Sequence, residues 1–67
     1  MTKFESLQRY IYKSLTKMNE EEEDMFDEDF MYEISITETA EDLYELFRDN
    51  EIEDIYLYCL QEWAGKK

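Results

Sequence analysis

Residues 30–36, Phe30-Met31-Tyr32-Glu33-Ile34-Ser35-Ile36, decide the fold class of this chain. Phe30, Tyr32, Ile34 and Ile36 alternate with Met31, Glu33 and Ser35, which is the period-two pattern of a half-buried strand. No second segment carries a comparable pattern. A strand without a neighbour leaves its backbone donors and acceptors open, so a strand here demands pairing with another chain. The spacing of Phe26, Phe30 and Ile34 fits a helix instead, and leaves room for a fourth short helix between residues 24 and 35. The expectation is therefore an all-α single domain over residues 1–67. It is a small bundle of three clear helices, at about 2–18, 39–49 and 51–64, with an acidic loop. The alternative is an α+β fold with one short strand at 30–36 paired across a dimer.

Immediately upstream lies Asn19 to Asp29, NEEEEDMFDED. It holds Glu20, Glu21, Glu22, Glu23, Asp24, Asp27, Glu28 and Asp29 without a cation. Like charges at adjacent and i+4 positions oppose helix, so a loop is expected, with a helical turn begun by Asp24 as a variant. Met25 and Phe26 interrupt the acids and are the expected anchors to the core.

Further upstream, Phe4, Leu7, Ile11, Leu15 and Met18 recur at spacings of 3 and 4, one apolar face of a helix. Thr2 and Glu5 fit a capping box. Arg9, Lys13 and Lys17 form a basic stripe beside the apolar one. That stripe either answers the chain's own acidic segment or touches a partner.

Downstream, Thr39 is a good N-cap, with Glu41 and Asp42 in the first turn where the helix dipole favours them. Ala40, Leu43, Tyr44, Leu46 and Phe47 make the apolar side of this helix. Glu41, Asp42, Glu45 and Asp49 gather opposite, within about 100° of arc. Asp49-Asn50 breaks the helix and is placed to cap the next one. Ile52, Ile55, Tyr56, Cys59, Leu60 and Trp63 form a broad apolar face, Leu57 and Tyr58 fall outside it, and Gly65 sits at an expected C′ position before Lys66 and Lys67.

A 67-residue chain buries only roughly 60% of the surface its unfolded form exposes and is marginal alone. Four Phe, six Tyr, one Trp and four Met supply large core residues and argue against disorder. The net charge is −12, unevenly placed. Residues 1–18 carry +3, whereas residues 19–64 carry eighteen acids against Arg48 alone. Such self-repulsion opposes the compact state and serves either solubility or a basic partner. An anionic surface disfavours nucleic acid and anionic lipid as direct ligands. One cysteine, no secretory-signal pattern and no membrane-length apolar run make a reducing cytoplasm the expected compartment.

Catalysis is poorly served. The chain has no His, and Cys59 lies on an apolar helix face where an inert thiol is expected. The single glycine excludes glycine-rich phosphate loops, and the acidic run lacks the glycine and spacing of an EF-hand. A non-enzyme without cofactor or dedicated metal site is expected.

Carboxylates at i and i+4 lie about 6 Å apart on a helix, a spacing of the same order as successive phosphates on one nucleic-acid strand. A rigid acidic face can therefore enter an Arg/Lys groove built for phosphates. In size and charge the chain is similar in kind to phage-encoded acidic inhibitors that imitate DNA and block restriction, CRISPR, repair or transcription proteins. That likeness implies an inhibitor of a basic, nucleic-acid-binding protein, and it assigns no residues. From the residues themselves, the expected partner surface is Glu20–Asp24, Asp27–Asp29, Glu41, Asp42, Glu45 and Asp49. Phe26, Phe30, Tyr32 and Tyr44 are candidate apolar anchors. The alternatives are an immunity or antitoxin-like partner of a basic toxin, and a small regulatory subunit docking through apolar residues such as Leu57 and Tyr58. A homodimer is compatible with each.

Overall fold

Asp27 settles the ambiguous segment. In the computed structural model, which describes residues 2–23 and 25–65, its carboxylate accepts from the Phe30 N–H at 2.7 Å and caps a helix. Four helices follow one another: α1 (Lys3–Glu21), α2 (Glu28–Ile36), α3 (Ala40–Asp49) and α4 (Glu53–Gly65). The fold is all-α, and no strand occurs among the described residues. The three-helix expectation therefore falls short by one, and the alternative strand at 30–36 is overturned. The helical spacing carries the packing: Phe26, Phe30 and Ile34 are buried, with Met31 beside them. Tyr32 and Ile36, half of the alternating set, stand 64% and 53% exposed. Glu28 and Asp29 lie in the first turn of α2, where the dipole stabilises them.

The acidic run is accordingly divided rather than looped throughout. α1 continues past Met18 to Glu21, and the Glu22 N–H closes on the Met18 carbonyl at 2.8 Å. Like-charge repulsion on a helix costs only a few tenths of a kcal/mol per pair, and Glu20 to Glu23 all point into solvent. The irregular connection is short. Phe26 anchors it as expected, but Met25 is 47% exposed. The helical turn expected from Asp24 rests on a residue outside those described.

Asn19 stitches that connection to α1. Its Oδ1 accepts from the Phe26 N–H at 2.7 Å and its Nδ2 donates to the Phe26 carbonyl at 3.1 Å. At the other end of α2, Gln8 Nε2 donates to the carbonyls of Ile34 (2.7 Å) and Thr37 (2.9 Å). Two amide side chains of α1 thus bond to backbone groups at both ends of α2, and the Thr37 hydroxyl also donates to the Ile34 carbonyl at 2.9 Å. α2 consequently runs antiparallel to α1.

The start of α1 carries the expected capping box, with Glu5 N–H on Thr2 Oγ1 and Thr2 N–H on Glu5 Oε1. Thr39 caps α3 by accepting from the Asp42 N–H. The end of α3 differs from expectation. Asn50 closes α3 instead of opening α4, and its Nδ2 donates to the Leu46 carbonyl. Glu51 N–H bonds to the Arg48 carbonyl and Ile52 N–H to the Phe47 carbonyl, both at 2.9 Å. This pair is a Schellman motif with Glu51 at C′. Glu51 accordingly takes φ 59°, the left-handed region, and α4 begins two residues later than expected, at Glu53. Gly65, expected at a C′ position, is instead the last residue of α4 and has no positive φ. Lys66 and Lys67 lie outside the described residues.

The core is built from Leu7, Ile11 and Leu15 of α1, Phe30, Met31 and Ile34 of α2, Leu43 and Phe47 of α3, and Tyr56 and Cys59 of α4, with Phe26 added from the connection. Its aromatics form a chain. Phe26 stacks on Phe30 at 5.8 Å, Phe30 meets Phe47 edge-on at 5.2 Å, and Phe47 meets Tyr56 at 5.6 Å. Each such pair is worth about 0.5–1.5 kcal/mol beyond its area. Ser6 ties α1 to α4 by accepting from Trp63 Nε1 at 3.1 Å.

Candidate functional site

Thr39 starts α3 at a register that turns Leu43 and Phe47 fully inward. The same register sends Glu41, Asp42, Glu45 and Asp49 outward, and all four are exposed. Asp42, Glu45 and Asp49 fall at i, i+3 and i+7, a row about 10 Å long on a rigid element. They do not act alone. A depression between α3 and the end of α2 is lined by this row together with Glu33, Glu38, Ile36, Leu46 and Thr37. Five carboxylates thus share this lining with the exposed Ile36, and among the described residues no cation lines it. Glu41 is exposed but is not in that lining.

Glu33 and Glu38 were not singled out from the sequence, because the strand pattern placed Glu33 opposite the core and Glu38 between elements. The helical reading of 26–34 was the signal that would have found Glu33. Once α2 is a helix with Phe30 and Ile34 inward, Glu33 and Ile36 must turn outward together.

The other acidic group is dispersed. Glu20 and Glu21 end α1, Glu22 caps it, and Glu23 follows, all exposed. These acids sit at the negative end of the α1 dipole, and no basic residue lies in that last turn, a placement that is locally unfavourable. Asp27 is committed to capping α2. Glu28 and Asp29 are exposed in the first turn, and Asp24 lies outside the described residues.

Among the candidate anchors, Phe26 and Phe30 are buried at 8% and 7% exposure and are unavailable to a partner. Tyr44 is half-buried against Tyr56, and Tyr32 is open. Leu57 and Tyr58 are exposed, as their positions off the apolar face of α4 required. Arg9, Lys13 and Lys17 are exposed on α1, and among the described residues none of them closes an ion pair within 4.0 Å. The stripe therefore does not neutralise the acidic run by direct pairing.

Cys59 is buried and unbridged. Burial pushes its thiol up from 9.0, Glu62 adds to that, and a hydrogen bond with Ser14 partly offsets both. A thiol held protonated is a poor nucleophile. Burial likewise raises Tyr56 from 10.0. No group of three or more His, Cys, Asp or Glu with metal-holding geometry occurs among the described residues, and no helix is long and apolar enough to cross a membrane. The chain matches no protein-family model, no curated protein and no solved structure at a significant level.

Proposed function

We propose that this chain is an acidic binding protein that occupies the basic, nucleic-acid-binding surface of a larger protein and excludes nucleic acid from it without turnover. One observation carries the proposal: the ordered row Asp42, Glu45 and Asp49 lines one depression together with Glu33, Glu38, Ile36 and Leu46. Helix fixes the backbone positions of Glu33, Asp42, Glu45 and Asp49 before binding, which lowers the ordering cost left for the encounter. The charges give fast, salt-sensitive association, and Ile36 offers an apolar contact that charge alone lacks. The role fits an anti-restriction, anti-CRISPR, anti-repair or anti-transcription inhibitor. An immunity protein for a basic nuclease toxin uses the same surface, and rescue of cells expressing such a toxin would favour that partner.

The test compares the natural chain with the triple variant Asp42→Asn, Glu45→Gln, Asp49→Asn as bait in nuclease-treated lysate. A nucleic-acid-binding protein should be retained, should leave as salt rises, and should be displaced by added duplex DNA. The triple variant should bind that protein at least about tenfold more weakly and with a shallower salt dependence. Equal affinity of both chains, flat between low and moderate salt, would sink the proposal.

A further inference from the structure

The face shared by α1 and α4 carries charges of both signs in a strongly anionic chain. Lys13, Lys17 and Glu21 of α1 line one shallow depression there with Tyr58 and Glu62 of α4. The four charges cancel within a chain of net charge −12. All four are exposed, and none closes an ion pair within 4.0 Å among the described residues. Tyr58, in the same lining, is 57% exposed.

A two-fold interface brings the same patch of two copies together, so the patch must be complementary to itself. The α1 row Lys13, Lys17, Glu21 passes from basic to acidic at successive i+4 positions, and a two-fold mate runs the opposite way, so the row meets that condition. The α2–α3 depression fails it, because five carboxylates would face five carboxylates. We propose that the partner of the α1–α4 face is a second copy of this chain. On the two-fold axis the lysine pair of one copy meets the glutamates of the other, and the two Tyr58 rings pack between them.

Such an arrangement leaves both acidic rows pointing outward, and it stands on observations separate from the proposed function. The molecule measures 30 × 22 × 21 Å, so one face covers only several hundred Å² per copy, in the range of transient associations below about 1,200 Å² in total. The dimer is therefore weak and concentration-dependent.

Its salt dependence separates it from binding to a basic target. The net charge of each copy repels the other over long range, and raising salt from about 10 mM to about 150 mM shortens the screening length from ~30 Å to ~8 Å. The short-range pairs at the face are screened less. Association of copies should strengthen over that interval, whereas a basic partner is released.

Sedimentation equilibrium of the full chain, up to about millimolar concentration, is the test. In about 150 mM salt the mass should rise from 8.3 kDa toward twice that value. The variant Lys13→Glu, Lys17→Glu makes the patch wholly acidic, and Glu21→Lys, Glu62→Lys makes it wholly basic. Each should be monomeric alone, and an equimolar mixture should form a heterodimer tighter than the natural dimer. Tyr58→Ser should weaken association at least tenfold, while Leu57→Ser, on the other flank of α4, should not. Circular dichroism on each variant verifies that it is folded. A natural chain that stays monomeric throughout overturns the proposal. So does a dimer unaffected by Tyr58→Ser and by both charge variants, which would place the contact on another face.

Discussion

Glu51 is the residue at which backbone and side chain disagree. Its φ of 59° suits glycine, and a side chain with a Cβ pays on the order of 1 kcal/mol to stay there. Glu51→Gly should raise stability by about 0.5–1 kcal/mol, read as a melting temperature higher by several degrees. A fall in melting temperature would show that the Glu51 side chain contributes more than its strain. This position was not legible in the sequence. The single glycine, Gly65, drew attention as the C′ residue, whereas the Schellman turn is closed by backbone bonds from Glu51 and Ile52 that tolerate a non-glycine residue. Cys59 makes a second prediction at this scale. The folded thiol is held above its ordinary value of 9.0, so folded and unfolded chains bind the same proton below about that pH. Above that pH the unfolded chain releases it first, and stability falls as pH rises. Denaturation titrations should show that alkaline loss, and Cys59→Ala should flatten its first part. Tyr56, raised from 10.0 by burial, extends the loss to higher pH.

Among the elements, α2 was the least legible and the most informative. Its alternating residues satisfy a strand template as well as a helix, and a run of seven residues offers too few repeats to separate the periods. Asp27, Glu28 and Asp29 are helix-start residues, but embedded in a longer acidic run they resemble loop. The helices with longer apolar faces, α1, α3 and α4, were legible nearly to their ends, because Leu7, Ile11 and Leu15, or Leu43 and Phe47, repeat at one period only. Of the candidate site, the α3 row was legible for the same reason, and its partners Glu33 and Glu38 were not, since they depend on α2 being a helix. The contacts that seat α2 were invisible in advance: Gln8 and Asn19 look like ordinary polar helix residues. Asn19→Ala removes both partners of the Phe26 backbone and should cost about 1–3 kcal/mol by denaturant titration. Amide exchange should quicken at Phe26 more than at Leu43. Equal cost from Thr16→Ala, on the outer face of α1, would show that Asn19 acts only through helix propensity.

At the scale of the whole molecule, charge rather than shape dominates. Eighteen acids and one arginine occupy residues 19–64, and their repulsion is borne by a core of eleven buried residues. Screening relieves that load. Between about 10 mM and about 500 mM salt the melting temperature should rise by several degrees or more, a shift of about 4–8 °C for each kcal/mol in a domain of this size. A melting temperature that is flat or falls with salt would mean that attractive pairs outweigh the repulsion. The acids at the end of α1 and those around Ile36 remain in solvent where a cationic surface can meet them, and bound cation and added salt would then stabilise the fold by the same route.

The two amide stitches also make α1 a caliper. Gln8 and Asn19 are eleven residues apart, about 16 Å along a helix, and the groups they hold, at Phe26 and Thr37, are separated by eleven residues as well. Adding or removing one residue between Phe26 and Thr37 would rotate α2 by about 100° and carry one end off its jaw. The constraint applies to the interval from Phe26 to Thr37. Relatives of this chain should therefore keep the eleven-residue interval that follows Phe26.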